Sequence, residues 1–143
     1  MRILIQFSLG VIAAALAIVT QAAPLPAKHP LIGTWQLDLL NGSCHEVYQI
    51  RSDGTVFITS GQEVAESVIE LSENPNANGF YLWSDELVTD NGKPDCMGNI
   101  TEVGHKASHF ILLHPSVNMF LLCSKETMQT CFGPFVRLGG AHI

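Results

Sequence analysis

The chain has 143 residues, with 7 basic and 13 acidic side chains and a net charge of −6. Excess negative charge argues against nucleic acid and anionic membrane surfaces as partners, because both would be repelled. Apolar residues make up 47% of the chain, a share inflated by its first residues.

Residues 1–22 have the three-part layout of a secretory signal peptide. Arg2 supplies a positive charge, Ile3 to Val19 is almost wholly apolar, and small residues at Thr20, Ala22 and Ala23 precede Pro24 and Pro26. The apolar run is 17 residues long and includes Gln6 and Ser8, short of the ~20 apolar residues that span a bilayer. Cleavage is expected near Ala22, leaving no stable membrane insertion and a periplasmic or secreted protein. The mature chain would have 121 residues and keep 6 basic against 13 acidic groups, enough for one domain with a modest core. Residues 23–30 read as a short linker, 31–138 as the domain and 139–143 as a C-terminal tail.

Beyond the linker the apolar period is two, broken by Gly, Asn, Asp and Pro clusters at short spacing. The stretch "LIGTWQLDLL" (31–40) is a first strand with Leu31, Gly33, Trp35, Leu37 and Leu39 on one face. "CHEVYQIR" (44–51) returns after the turn at 41–43, and "SDGT" (52–55) is a tight turn needing positive φ at Gly54. "TVFITS" (55–60) is the third strand. Residues 61–73 suit a strand and a helix equally, since Val64, Val68 and Leu71 would share a helical face. "FYLWSDELVTD" (80–90) places Phe80 and Leu82 opposite Tyr81 and Trp83. After the long loop 91–99 come "SHFILLH" (108–114), "MFLLC" (119–123) and "CFGPFVRL" (131–138). About eight short strands joined mainly by hairpins imply an all-β, antiparallel up-and-down β-barrel, with a β-sandwich as the alternative.

Four cysteines in an exported chain of this size read as two disulfides, since that compartment is oxidising. A metal site would want paired spacings such as C-x2-C, which are missing. Cys123 and Cys131 flank seven polar residues suited to a hairpin loop, which leaves Cys44 for Cys96.

The Gly-x-Trp of "IGTW" (32–35) resembles the start of the first strand in the lipocalin and lipocalin-like families of the calycin group. "YQIRSDGTV" (48–56) is similar to the second hairpin of small lipocalin-like domains in exported bacterial proteins. The resemblance implies that Trp35 plugs one end of the barrel beside Gly33, with Arg137 from the last strand lying over its ring. Cation–π attraction there is worth ~0.5–2 kcal/mol.

Phe57, Phe80, Tyr81, Trp83, Phe110, Met119 and Phe120 are candidates to line a ligand cavity, and equally suit a plain core. His45, His105, His109 and His114 are scattered, so solvent-facing strand histidines are expected and no metal. Asp85 with Glu86, and Asp90 with Asp95, could form an acid pair but read as solvated loop-edge carboxylates. Neither a G-x-S-x-G elbow nor a Gly-rich phosphate loop occurs, so no enzyme and no cofactor is expected. "NGS" (41–43) and "NIT" (99–101) match the glycosylation sequon. The leading expectation is an exported lipocalin-like protein holding a small apolar ligand in its barrel. The alternative is a disulfide-stiffened protein-interaction module, such as an inhibitor or an envelope assembly factor. The interior separates them: an apolar cavity of ~300 Å³ or more favours the first, a filled barrel the second.

Overall fold

Eight strands form between Gly33 and Leu138: β1 (Gly33–Leu39), β2 (Cys44–Ile50), β3 (Thr55–Ser60), β4 (Glu63–Leu71), β5 (Phe80–Asp90), β6 (Lys106–Leu113), β7 (Met119–Cys123) and β8 (Cys131–Leu138). The structure is a computed structural model that describes residues 20–139. Most of the expected signal peptide, residues 1–19, and most of the tail, residues 140–143, lie outside the described residues. Each strand pairs antiparallel with the next, and β1 pairs with β8, so the sheet is a closed barrel. The seam is short: it runs Thr34↔Leu138, Trp35↔Arg137 and Gln36↔Val136. It stops where Pro134 has no N–H to give.

Residues 63–71, open between helix and strand in the sequence, form β4. Strand wins because β3 and β5 supply ladder partners on both sides. Alternation then sends Ala65, Ser67 and Ile69 inward, all buried. Register carries this inner face around the barrel through Trp35↔Tyr48, Tyr48↔Ile58 and Ile58↔Ala65. A bulge opposite Glu66 and Ser67 inserts one extra residue in β5, near Val88.

The segment before β1 is no slack linker. Leu25, His29 and Leu31 are buried, and the segment crosses the end of the barrel where β1 begins. The Leu25 N–H donates to the Ser52 carbonyl in the β2–β3 turn (2.9 Å), and His29 Nε2 bonds the Ser72 carbonyl (3.0 Å). Gly54, at φ +83°, lies so close to Ala23 that a Cβ there would collide with the Ala23 carbonyl. Trp35 is 0% exposed and donates its Nε1–H to the Leu31 carbonyl at 2.9 Å. Arg137 lies 4.1 Å from the centre of the Trp35 ring. Its guanidinium donates to the carbonyls of Pro30, Ile32 and Val117. Gly33 (φ +142°) leaves it room, for a Cβ there would strike the guanidinium. Phe120 packs edge-on to Trp35 (4.8 Å) and stacks on Phe135 (4.6 Å). One end of the barrel is therefore closed and filled.

Disulfides join Cys44 to Cys96 and Cys123 to Cys131, the pairing expected from spacing. The first ties loop 91–105 to the start of β2, at the end opposite the plug. Two disulfides are typical of proteins outside the cytoplasm.

Candidate functional site

At that opposite end the barrel holds a cavity of about 230 Å³. Strand parity decides what lines it. Glu46 and Tyr48 of β2, Ile58 of β3, Glu63, Ala65 and Ser67 of β4, Asp85 and Leu87 of β5, and Ala107 and His109 of β6 all point in. Loop 91–105 adds Asp95, Thr101 and His105 at the mouth. The pocket is thus floored by aliphatic and aromatic carbon and walled by carboxylates and imidazoles.

Its polar groups fall into two sets. Glu46 is satisfied: Tyr48 donates its O–H to Oε2 (2.9 Å) and Ser60 donates to Oε1 (2.8 Å). Ser60 in turn accepts the Cys96 N–H at 3.0 Å, linking this set to the disulfide loop. Burial, and then the neighbouring Glu46 charge, hold the Tyr48 phenol well above its usual range. The second set is not satisfied. Asp85 Oδ1, Asp90 Oδ2 and His109 Nδ1 are shut off from solvent with no hydrogen-bond partner among the described residues. Such groups cost free energy until something pairs with them.

Glu63 stands between the sets. Its carboxyl is pushed up to about 7, first by burial, then by the Asp90 carboxyl beside it and the charges of Asp95 and Glu46. Burial also raises the Asp85 carboxyl, although His109 nearby pulls the other way. The Glu63 shift reports a buried carboxyl among other carboxylates, and the Asp85 shift reports burial alone. Among the described residues no group of three or more His, Cys, Asp or Glu is arranged to hold a metal ion.

The seven candidate cavity residues lie elsewhere. Phe57 faces outward, with the Arg51 guanidinium 5.6 Å from its ring centre. Phe80 and Phe110 are on the outer face too, edge-to-face at 6.3 Å. On that side the Asn76 and Asn78 amides donate to Glu126, joining loops 72–79 and 124–130. Met119 lines an apolar groove of about 520 Å³ outside the barrel, with Leu112, Leu121, Met128 and Pro134. Trp83 and Phe120 point inward but belong to the buried core, and Tyr81 packs against it. His29 meets the Tyr81 ring edge-on at 5.3 Å. All seven are core or outer wall, because close packing at the plug consumes the inward ones.

The polar residues are corrected in the opposite direction. His109 faces inward rather than to solvent, and Asp85 and Asp90 are partly buried rather than solvated. His45 does sit outside, 2.7 Å from Asp38, and Glu86 pairs outside with Lys106 at 3.4 Å. Counting in twos gives a partial signal for the pocket residues. Glu46 is two residues from Tyr48, and Asp85 is two from Trp83, so each shares its neighbour's face.

Fold and site together define an eight-stranded antiparallel closed barrel, consistent with a calycin-like fold, with one end plugged and the other opening on an acid-lined pocket. Comparison with protein-family models, with curated proteins and with solved structures finds no match for this chain.

Proposed function

We propose that this is an exported, lipocalin-like binding protein that takes a small organic cation, such as a primary amine, in its open-end pocket. The supporting observation is the pocket's chemistry: Glu46, Glu63 and Asp85 face one cavity, and among the described residues no lysine or arginine lines it. A ligand ammonium would pair with the cavity-lining carboxylates of Asp85 and Glu63, supply charge-assisted hydrogen bonds and relieve the crowding around Glu63. An apolar ligand would leave those groups unpaired, and the cavity falls short of the ~300 Å³ expected for an apolar binding site. The role is binding rather than catalysis. The signal-peptide layout and the two disulfides support action in the periplasm or outside the cell.

Isothermal titration of the mature protein with butylamine, butanol and a fatty acid tests this reading. Butylamine should bind with one site, weakening as pH falls from 8 to 5 and Glu63 takes up its proton. Saturable binding of the fatty acid in the barrel, with none of the amine, would refute it.

A further inference from the structure

The loop that walls the pocket also displays carbon to solvent. Between Met97 and Val103, three apolar side chains stand out at 59% (Met97), 61% (Ile100) and 59% (Val103) exposure. The same loop sends Asp95, Thr101 and His105 into the pocket wall. Isolated exposed apolar residues are ordinary, but three within seven residues of the loop that walls the pocket concentrate exposed carbon there.

The loop is also held in place. Cys96 is tied to Cys44, and its N–H donates to Ser60. The Gln62 N–H donates to the Pro94 carbonyl at 3.1 Å, and Asp95 Oδ1 accepts from the N–H groups of Met97 and Asn99 at 2.8 Å each. Because these bonds fix the backbone, little ordering is needed when something covers the patch. A free amine would fill the pocket and leave Met97, Ile100 and Val103 wet.

Charge complementarity and the patch together select a ligand that carries its cation on a chain with apolar neighbours. Lysine and arginine place a permanent positive charge at the end of a slender apolar stem, which suits a pocket of this volume. We propose that the open end docks a segment of a partner protein in which a lysine or arginine stands between apolar residues. The basic side chain enters toward Asp85 and Glu63, and its neighbours cover Met97, Ile100 and Val103. This rests on the pocket taking a cation, as proposed above.

The test is isothermal titration of the mature protein with three capped peptides, Leu-Lys-Leu, Gly-Lys-Gly and Leu-norleucine-Leu, beside butylamine. The leucine–lysine peptide should bind about tenfold more tightly than Gly-Lys-Gly, and the norleucine peptide should not bind. Replacing the exposed trio together (Met97→Ser, Ile100→Ser, Val103→Ser) should erase that advantage while Gly-Lys-Gly binds as before. Equal binding of the two lysine peptides, or an advantage that survives the triple change, would overturn the docking surface while leaving the amine pocket standing. Equal binding of the norleucine peptide would show that the cation is not needed and would also overturn it. If neither butylamine nor any lysine peptide binds, the pocket reading fails first and the docking proposal falls with it.

Discussion

Removing the plug residue is the most direct probe of the fold. Trp35→Ala takes away a side chain that is 0% exposed, stacked under Arg137 and packed on Phe120. Large buried aromatics truncated to alanine cost ~3–5 kcal/mol, from lost transfer free energy and the cavity left behind. The Leu31 carbonyl also loses its Nε1–H donor, so the upper half of that range is expected. A domain of this size has ~5–15 kcal/mol of stability in all. With a urea slope of ~2 kcal/mol/M, a loss of ~4 kcal/mol moves the unfolding midpoint down by ~2 M. Trp35→Phe keeps a ring beneath Arg137 and forfeits the hydrogen bond and part of the volume, so it should cost ~1–2 kcal/mol. The assay is equilibrium urea unfolding of both variants and the parent, followed by circular dichroism. A loss below ~0.5 kcal/mol for Trp35→Ala, the range of surface substitutions, would refute the plug.

Arg137→Ala should destabilise by ~2–3 kcal/mol in the same assay, less than Trp35→Ala, because it frees three backbone carbonyls but opens a smaller void; Arg137→Lys should recover little, since one ammonium cannot reproduce the fork. Non-reducing peptide mapping should return Cys44–Cys96 and Cys123–Cys131, and opening the first, across 52 residues, should cost ~4 kcal/mol against ~2.5 for the second, across 8. Glu63 keeps its proton in the fold up to about 7, while the unfolded chain releases it near 4.5. The folded state binds more protons in that window, so stability falls as pH rises through it, and Glu63→Gln should flatten the dependence measured by urea unfolding at pH 4 to 8. Intact mass of the exported protein should correspond to a start at Ala23 or Pro24, and a full-length membrane-bound species would contradict the signal peptide.

The plug and the pocket differ in how visible they are along the chain. Trp35 and Arg137 are the first and last prominent side chains of an alternating pattern, and a closed barrel brings its first and last strands together by necessity. The pocket is harder because carboxylates carry no fixed preference for one face of a strand. Glu46 and Glu86 are both flanked by strand residues, yet Glu46 turns inward to Tyr48 and Ser60, whereas Glu86 stays outside with Lys106. Parity settles this only after the register is known, and the bulge near Val88 changes parity before Asp90.

The amino-acid pattern by itself determined the strands other than β4, their antiparallel order and the cysteine pairing. Alternation, turn residues and loop length are local, and each is written within a few neighbouring positions. Tertiary structure alone decided that residues 24–32 close one end, that Phe57, Phe80, Phe110 and Met119 face outward, and that the other end is acidic. Those outcomes depend on which residues meet across the closed barrel and how much volume the plug consumes. The buried aromatic cluster of Trp35, Phe120 and Phe135 occupies the interior where an apolar ligand would sit. The space that remains is therefore the part whose inward positions are Glu46, Glu63, Asp85 and His109, because close packing fills the apolar end first and leaves room only where charged groups resist burial.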